Sequence, residues 1–245
     1  MGLMKPSSPS QALLILLCTL AAAAPGGATG AVPAAADGQP VEARPFRLPF
    51  REPPGPSTWY LVQLYGNTLN AFYVRHTTYA AGQGLHFGVD FAAPCGTPVV
   101  AIGDGVVAKV DPPEHRAYPH SLMIDHSSGY ASFYGHLLER PALVRGQAVV
   151  RGQVIALSGD SSGSCTSAPH LHLEIRDRSY RVAYNPVALI EADWDDIALG
   201  SRGPLLFARD LGEPRRWQHP DDQPEIQMGG PLLNDYADVW PPDWR

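Results

Sequence analysis

The chain has 245 residues, 44% of them hydrophobic and 17% charged, enough for one packed domain with extensions and inconsistent with wholesale disorder. Its formal charge is −6, from 18 basic and 24 acidic residues, and no basic stretch occurs. That balance gives no support to nucleic-acid binding or to attraction by anionic membranes.

In chain order, the first feature is an apolar run over residues 12–24, preceded by Lys5 and followed by small residues and Pro25. It is shorter than the roughly 20 residues that a bilayer-spanning helix needs. Residues 1–30 are therefore expected to be a cleaved export signal, leaving no transmembrane helix in the mature protein. Cleavage after Gly30 and after Ala36 both suit the small-residue pattern. The rival is acylation at Cys18, disfavoured because Leu17 is large where a lipoprotein signal carries a small residue. A secreted or cell-envelope location follows as the expectation. Export would remove Lys5 and leave Lys109 as the only lysine.

Residues 31–57 are rich in Ala, Gly and Pro, lack any periodicity and read as a linker. From Thr58 the texture changes. A β-prone run at 59–65 ends in the turn signal Gly66-Asn67. Short β-like runs follow at 89–91, 97–102, 105–110, 121–125, 130–136, 148–150, 154–157 and 171–175, separated by Gly, Pro, Ser and Asp turns. This spacing predicts an all-β, antiparallel single domain over residues 58–190 with little helix. Residues 191–245 hold four tryptophans, Trp194, Trp217, Trp240 and Trp244, but no motif. They read as an irregular C-terminal extension whose indoles could pack back on the domain.

Cys95 and Cys165 remain after export. An even count in an oxidising compartment favours a bridge over two free thiols or two zinc ligands, and neither cysteine lies in a Cys-x-x-Cys pair.

Chemistry concentrates in three stretches: His86-Phe87-Gly88-Val89-Asp90, Tyr134-Gly135-His136-Leu137 and Pro169-His170-Leu171-His172-Leu173-Glu174. A His and an Asp four apart can share a divalent ion across a tight turn, which Gly88 would permit. Strand alternation puts His170, His172 and Glu174 on one face and Leu171, Leu173 and Ile175 on the other. Two imidazoles then enter one cleft while the leucines anchor the strand, an arrangement that suits one ligand and one neighbouring base.

In this order the three stretches resemble the lysostaphin-type (LytM) zinc metallopeptidases, peptidoglycan endopeptidases that carry His-x-Gly-x-Asp, Tyr-x-His-Leu and Gly-x-His-Leu-His-Phe-Glu. The connecting segments 93–99, 103–107 and 152–156 resemble the same family, so the likeness runs over about residues 60–190. It implies a twisted antiparallel sheet with an active-site groove. It also implies Zn2+ held by His86, Asp90 and His172, with His136 and His170 as unmetallated catalytic groups. Peptidoglycan stem peptides or crossbridges are the implied substrate. Glu174 is open to two readings, orientation of a ligand or an outward-facing strand position. The departure is Ser164-Cys165-Thr166-Ser167-Ala168, where the family has Gly-rich residues.

The rival function is a non-catalytic peptidoglycan-binding or hydrolase-activating module on the same fold. Such modules usually lose metal ligands, whereas all five positions are present here. Gly159-Asp160-Ser161-Ser162-Gly163 resembles a trypsin-type nucleophile loop but lacks that family's histidine element, and reads as a plain loop. His126 is expected to be exposed beside its turn, and His76, His115, His120 and His219 to lie in loops without a metal.

Overall fold

The computed structural model describes residues 44–114, 117–202, 205–213 and 215–236, and the backbone at 239–240. The expected signal at 1–30, Cys18, the first part of the expected linker, His115 and Trp244 lie outside the described residues.

Turn residues cut the chain into short strands: β1 (Tyr60–Gln63), β2 (Val89–Ala92), β3 (Pro98–Val100), β4 (Gly105–Val110), β5 (His120–Asp125), β6 (Tyr130–Leu137), β7 (Ala148–Val149), β8 (Val154–Leu157), β9 (His170–Asp177), β10 (Val182–Tyr184), β11 (Arg209–Asp210), β12 (Ile226–Gln227) and β13 (Val239–Trp240). Nine of them form one antiparallel sheet in the order β1-β2-β9-β6-β5-β4-β7, with β10 joining β9 and β12 joining β10. Among the described residues the α-helices are short: α1 (Leu69–Tyr73), α2 (Pro186–Leu189) and α3 (Trp194–Leu199) have five, four and six residues. Thr68 starts α1, its hydroxyl accepting from the Ala71 amide.

β9 lies between β2 and β6, and its alternation governs both faces of the sheet. Leu171, Leu173 and Ile175 are fully buried with their cross-strand neighbours Phe91, Val89 and Tyr134. This is the core face, and burying each large apolar side chain there contributes about 1.5–3 kcal/mol. The opposite face carries Asp90, His172 and Glu174. Among the described residues, no helix is long and apolar enough to cross a membrane.

Residues 44–57 do not behave as the expected linker. Phe46 and Phe50 are buried, the Arg47 amide donates to Ile102, and the Val100 amide donates to Pro49. Phe50 stacks on Trp59 with ring centroids 5.1 Å apart. Single aromatic anchors in extended backbone leave no periodic signature, which is why composition alone suggested a loose segment. In the C-terminal extension Trp217 is buried and Trp194 stacks on Phe91. Cys95 and Cys165 are bonded, with Cα atoms 6.0 Å apart, tying the turn after β2 to the loop before β9.

Candidate metal centre

The register of the central strands assembles the site. Asp90 on β2 pairs with His172 on β9, which pairs with Gly135 on β6. His86 is fixed just before β2 by a two-way backbone bridge with Gly66, both bonds 2.8 Å. His86 Nε2 lies 3.3 Å from Asp90 Oδ1 and 3.2 Å from His172 Nδ1, and His172 Nδ1 lies 2.7 Å from Asp90 Oδ1. All three side chains are buried. Gly88 serves by lacking a side chain: a Cβ there would stand 2.7 Å from His172 Cε1 and 2.6 Å from the Leu173 carbonyl oxygen. Close approach of the imidazole, rather than a turn needing left-handed backbone, is what requires glycine at 88. At Gly135 a Cβ would meet Ala117 Cβ at 2.7 Å.

Hydrogen-bond polarity aims the lone pairs. His86 Nδ1 is 2.7 Å from the Leu64 carbonyl, which can only accept, so Nδ1 carries the proton and Nε2 offers its lone pair. His172 Nε2 lies 3.1 Å from Glu174 Oε1, and Glu174 Oε2 accepts from Arg176 Nε at 2.5 Å. Glu174 is thus buried against His172, not outward. Burial opposes ionisation of Glu174, but the Arg176 guanidinium and His172 outweigh it and hold the carboxyl at about 2. Burial likewise opposes charge on Asp90, yet His86 and His172 hold it well below the usual carboxylate range. His172 itself, disfavoured as a cation by burial, is pushed up to about 9 by Asp90 and Glu174.

His86, Asp90 and His172 each present one ligand atom, all within 4.8 Å of one another. Ligands about 2.0–2.1 Å from a tetrahedral centre stand roughly 3.3 Å apart. Two edges of the observed triangle match that spacing, and the third is drawn in by the His172–Asp90 hydrogen bond. Two imidazole nitrogens and a carboxylate oxygen therefore fit a divalent ion of zinc type.

His136 and His170 join this centre without completing the triangle. Alternation on β6 would send His136 to the core face with Tyr134; instead its backbone adopts φ 58° and the ring swings to the other face. Its centroid lies 4.7 Å from that of His170 and 5.9 Å from that of His172. Each of the pair is held through Nδ1, His136 by the Tyr118 carbonyl at 2.6 Å and His170 by the Ala168 carbonyl at 2.7 Å. Both Nε2 atoms keep their lone pairs when the rings are neutral. Burial, reinforced by positive charge at His172 and His170, lowers His136 to about 4.

Asp90, His136, His170, His172 and Glu174 line a groove of about 860 Å³. One wall holds Gln63, Asn70 and Tyr79, linked by Gln63 Nε2 to the Tyr79 hydroxyl (3.2 Å) and Asn70 Nδ2 to Gln63 Oε1 (2.9 Å). Ser167 and Pro169 line it near the disulfide, and Leu205 comes from the C-terminal extension. The sequence offered no sign of these wall residues, which are scattered over turns without a motif. His126 departs from its expected exposure. It is buried, with Nδ1 2.8 Å from the Asp104 carbonyl and Nε2 2.8 Å from Ser132 Oγ, a structural role outside the triangle.

The segment that carries these residues is similar to known proteins. Residues 84–186 match the family model described as Peptidase family M23. The chain is 41% identical over 111 residues to the peptidoglycan DD-endopeptidase ShyB of Vibrio cholerae, a match covering 44% of this chain and 23% of that protein. It is 40% identical over 106 residues to the DD-carboxypeptidase/endopeptidase Mpg of Neisseria meningitidis, covering 43% and 23%. The match thus spans less than a quarter of either relative's length. Among solved structures, the catalytic domain of lysostaphin from Staphylococcus simulans is 31% identical, with 42% of this chain and 77% of that one covered and a TM-score of 0.36. Residues 84–186, the stretch that carries His86, Asp90, His136, His170 and His172, thus form a peptidase family M23 domain within this chain.

Proposed function

We propose that this protein is a zinc-dependent endopeptidase acting outside the cytoplasm on peptide bonds of peptidoglycan. His86, Asp90 and His172 hold the ion, and His136 and His170 handle protons beside it. Residues 1–30 direct export in this reading, and the catalytic unit corresponds to residues 58–190. One observation carries it: three buried donor atoms lie 2.7–3.3 Å apart, and two of their residues, Asp90 and His172, line the same groove as two further imidazoles that are each anchored through Nδ1. The substrate class is supported by the names of the relatives above, both of which are peptidases of DD bonds.

When bound, zinc supplies Lewis-acid polarisation of the scissile carbonyl and a more acidic attacking water. His136, whose charged form burial disfavours, accepts the proton of the attacking water at Nε2. His170, held through Nδ1 by the Ala168 carbonyl, faces the same space and, in its protonated form, supplies an Nε2 proton or hydrogen bond to the carbonyl oxygen or the departing amine. The groove walls orient the peptide and shield it from bulk water.

Purified mature protein should contain one zinc per chain and release peptide fragments from peptidoglycan, identified by mass spectrometry. His172→Ala should lose both metal and cleavage. His136→Ala should keep its zinc while kcat/KM falls by about 10²–10⁴-fold. Cleavage by the His172 variant would refute the assignment, and zinc-loaded wild type without cleavage would point to a binding module instead.

A further inference from the structure

Beneath the triangle, β9 continues as a second row of charged side chains. His172, Glu174 and Arg176 alternate along one face of the strand, and all three are buried. Arg176 is held from several sides. Its Nε donates to Glu174 Oε2 at 2.5 Å, a terminal nitrogen donates to the Tyr180 carbonyl at 3.3 Å, and its guanidinium lies 5.4 Å from the centre of the Phe133 ring. A guanidinium has donors only. Whatever group faces Arg176 from position 174 must therefore present an acceptor to it.

We infer that Arg176 is a positioning residue: it fixes the polarity of the Glu174–His172 hydrogen bond and so dictates that His172 offers Nδ1, not a protonated nitrogen, to the metal. This rests on the zinc-site reading above. With Glu174 ionised, both oxygens accept, one from Arg176 and one from His172 Nε2–H, and the imidazole proton stays on the side away from the triangle. Partners of this kind set the tautomer and basicity of a metal-bound imidazole.

A glutamine at 174 exposes the logic. Its amide has one acceptor end and one donor end. While Arg176 is present, the oxygen must face the guanidinium and the NH2 must face His172 Nε2. That forces Nε2 to accept and moves the imidazole proton to Nδ1, where the ion needs a lone pair. Removing the guanidinium frees the amide to turn over. The second substitution should then restore part of what the first destroys, which a merely structural loss of contacts would not do.

The test measures zinc affinity by chelator competition in the full mature chain, with a thermal melt of each variant. E174Q should weaken zinc about 100-fold, within the range for loss of an outer partner. The double variant E174Q/R176M should recover about tenfold or more of that loss. A double variant binding no more tightly than E174Q, with both melting cooperatively, overturns the inference while leaving the metal site intact. Should E174Q fail to fold, the ¹H–¹⁵N spectrum of the zinc-loaded wild type decides: a proton on His172 Nε2 that exchanges faster in R176M supports the role, and a proton on Nδ1 overturns it. Wild type that binds no zinc overturns the metal-site reading itself.

Discussion

His172 is the residue where opposing influences meet. Burial disfavours its charged form, yet Asp90 at Nδ1 and Glu174 at Nε2 together push it up to about 9. A metal needs Nδ1 bare, so loading at neutral pH expels a proton from a group that otherwise keeps it. The sign follows directly. Below about 9 the proton competes with the ion, so affinity weakens as pH falls, by roughly tenfold per unit for a single proton. Asp90, held well below the usual carboxylate range, and His136, lowered to about 4, take up no proton between pH 6 and 8 and leave that slope alone. Zinc dissociation constants measured at pH 6 and pH 8 should thus differ by about 100-fold. A flat profile would show that His172 surrenders no proton on loading. The residue scale also shows what pattern reading could reach. Alternation across 170–175 was legible because leucines on one face and polar groups on the other leave a period-2 mark. The position of His136 was not legible from alternation, which predicts the core face; a left-handed histidine carries no compositional signal as glycine would. His126 misled for the opposite reason: its neighbours form a surface turn while its own ring bonds inward to Asp104 and Ser132.

At the scale of elements, β2, β9 and β6 pair side by side beneath the site, and the loop between β8 and β9 forms part of the groove rim. The eight short runs read from sequence between residues 89 and 175 correspond to β2 through β9, because each is apolar, brief and bounded by turn residues. The later strands β10 to β13 have two or three residues each and no such pattern, being set by what they pair with rather than by their own composition. The rim loop carries Ser161, Ser167 and Pro169 into the groove, and Asp160 gathers it by accepting from the Ser162 and Ser164 amides. Its other tether is the Cys95–Cys165 bond, which closes 70 residues of chain. By the chain-entropy argument such a closure stabilises by at most about 4 kcal/mol. Replacing both cysteines by serine should lower stability by about 2–4 kcal/mol in urea unfolding and raise KM more than it lowers kcat. Unchanged KM with lowered stability would show that the bond serves the fold alone.

For the whole molecule, the C-terminal extension is bound into the domain through the segments that flank His86. Asn67, fully buried, donates from Nδ2 to the Ala208 carbonyl at 3.0 Å, accepts at Oδ1 from Asn234 at 2.8 Å, and its amide donates to Gln223 Oε1 at 2.6 Å. Asn234 also donates to the Gly84 carbonyl at 2.7 Å, and the Leu233 amide donates to that of Gln83 at 2.9 Å. Residues 66–67 and 83–84 are therefore clasped from outside by Ala208, Gln223, Leu233 and Asn234, and it is the Gly66–His86 bridge inside that clasp that sets the first proposed ligand in place. The turn expected at Gly66-Asn67 is present, with Gly66 at φ 99°, and it is also a buried junction between the main sheet and the C-terminal extension. Removing one side chain at such a junction leaves several buried partners unpaired, at about 1–3 kcal/mol each when unrelieved. Asn67→Ala should accordingly cost about 2–4 kcal/mol in urea unfolding, as expected for loss within a connected buried network. Because His86 hangs from the same junction, the variant should also bind zinc more weakly while it is still folded, measured well below its unfolding midpoint. Asn67→Ala with full stability would mean that the extension merely rests on the domain. Lost stability with unaltered zinc affinity would mean that the Leu64 carbonyl and the β2 register hold His86 without help from the C-terminal residues.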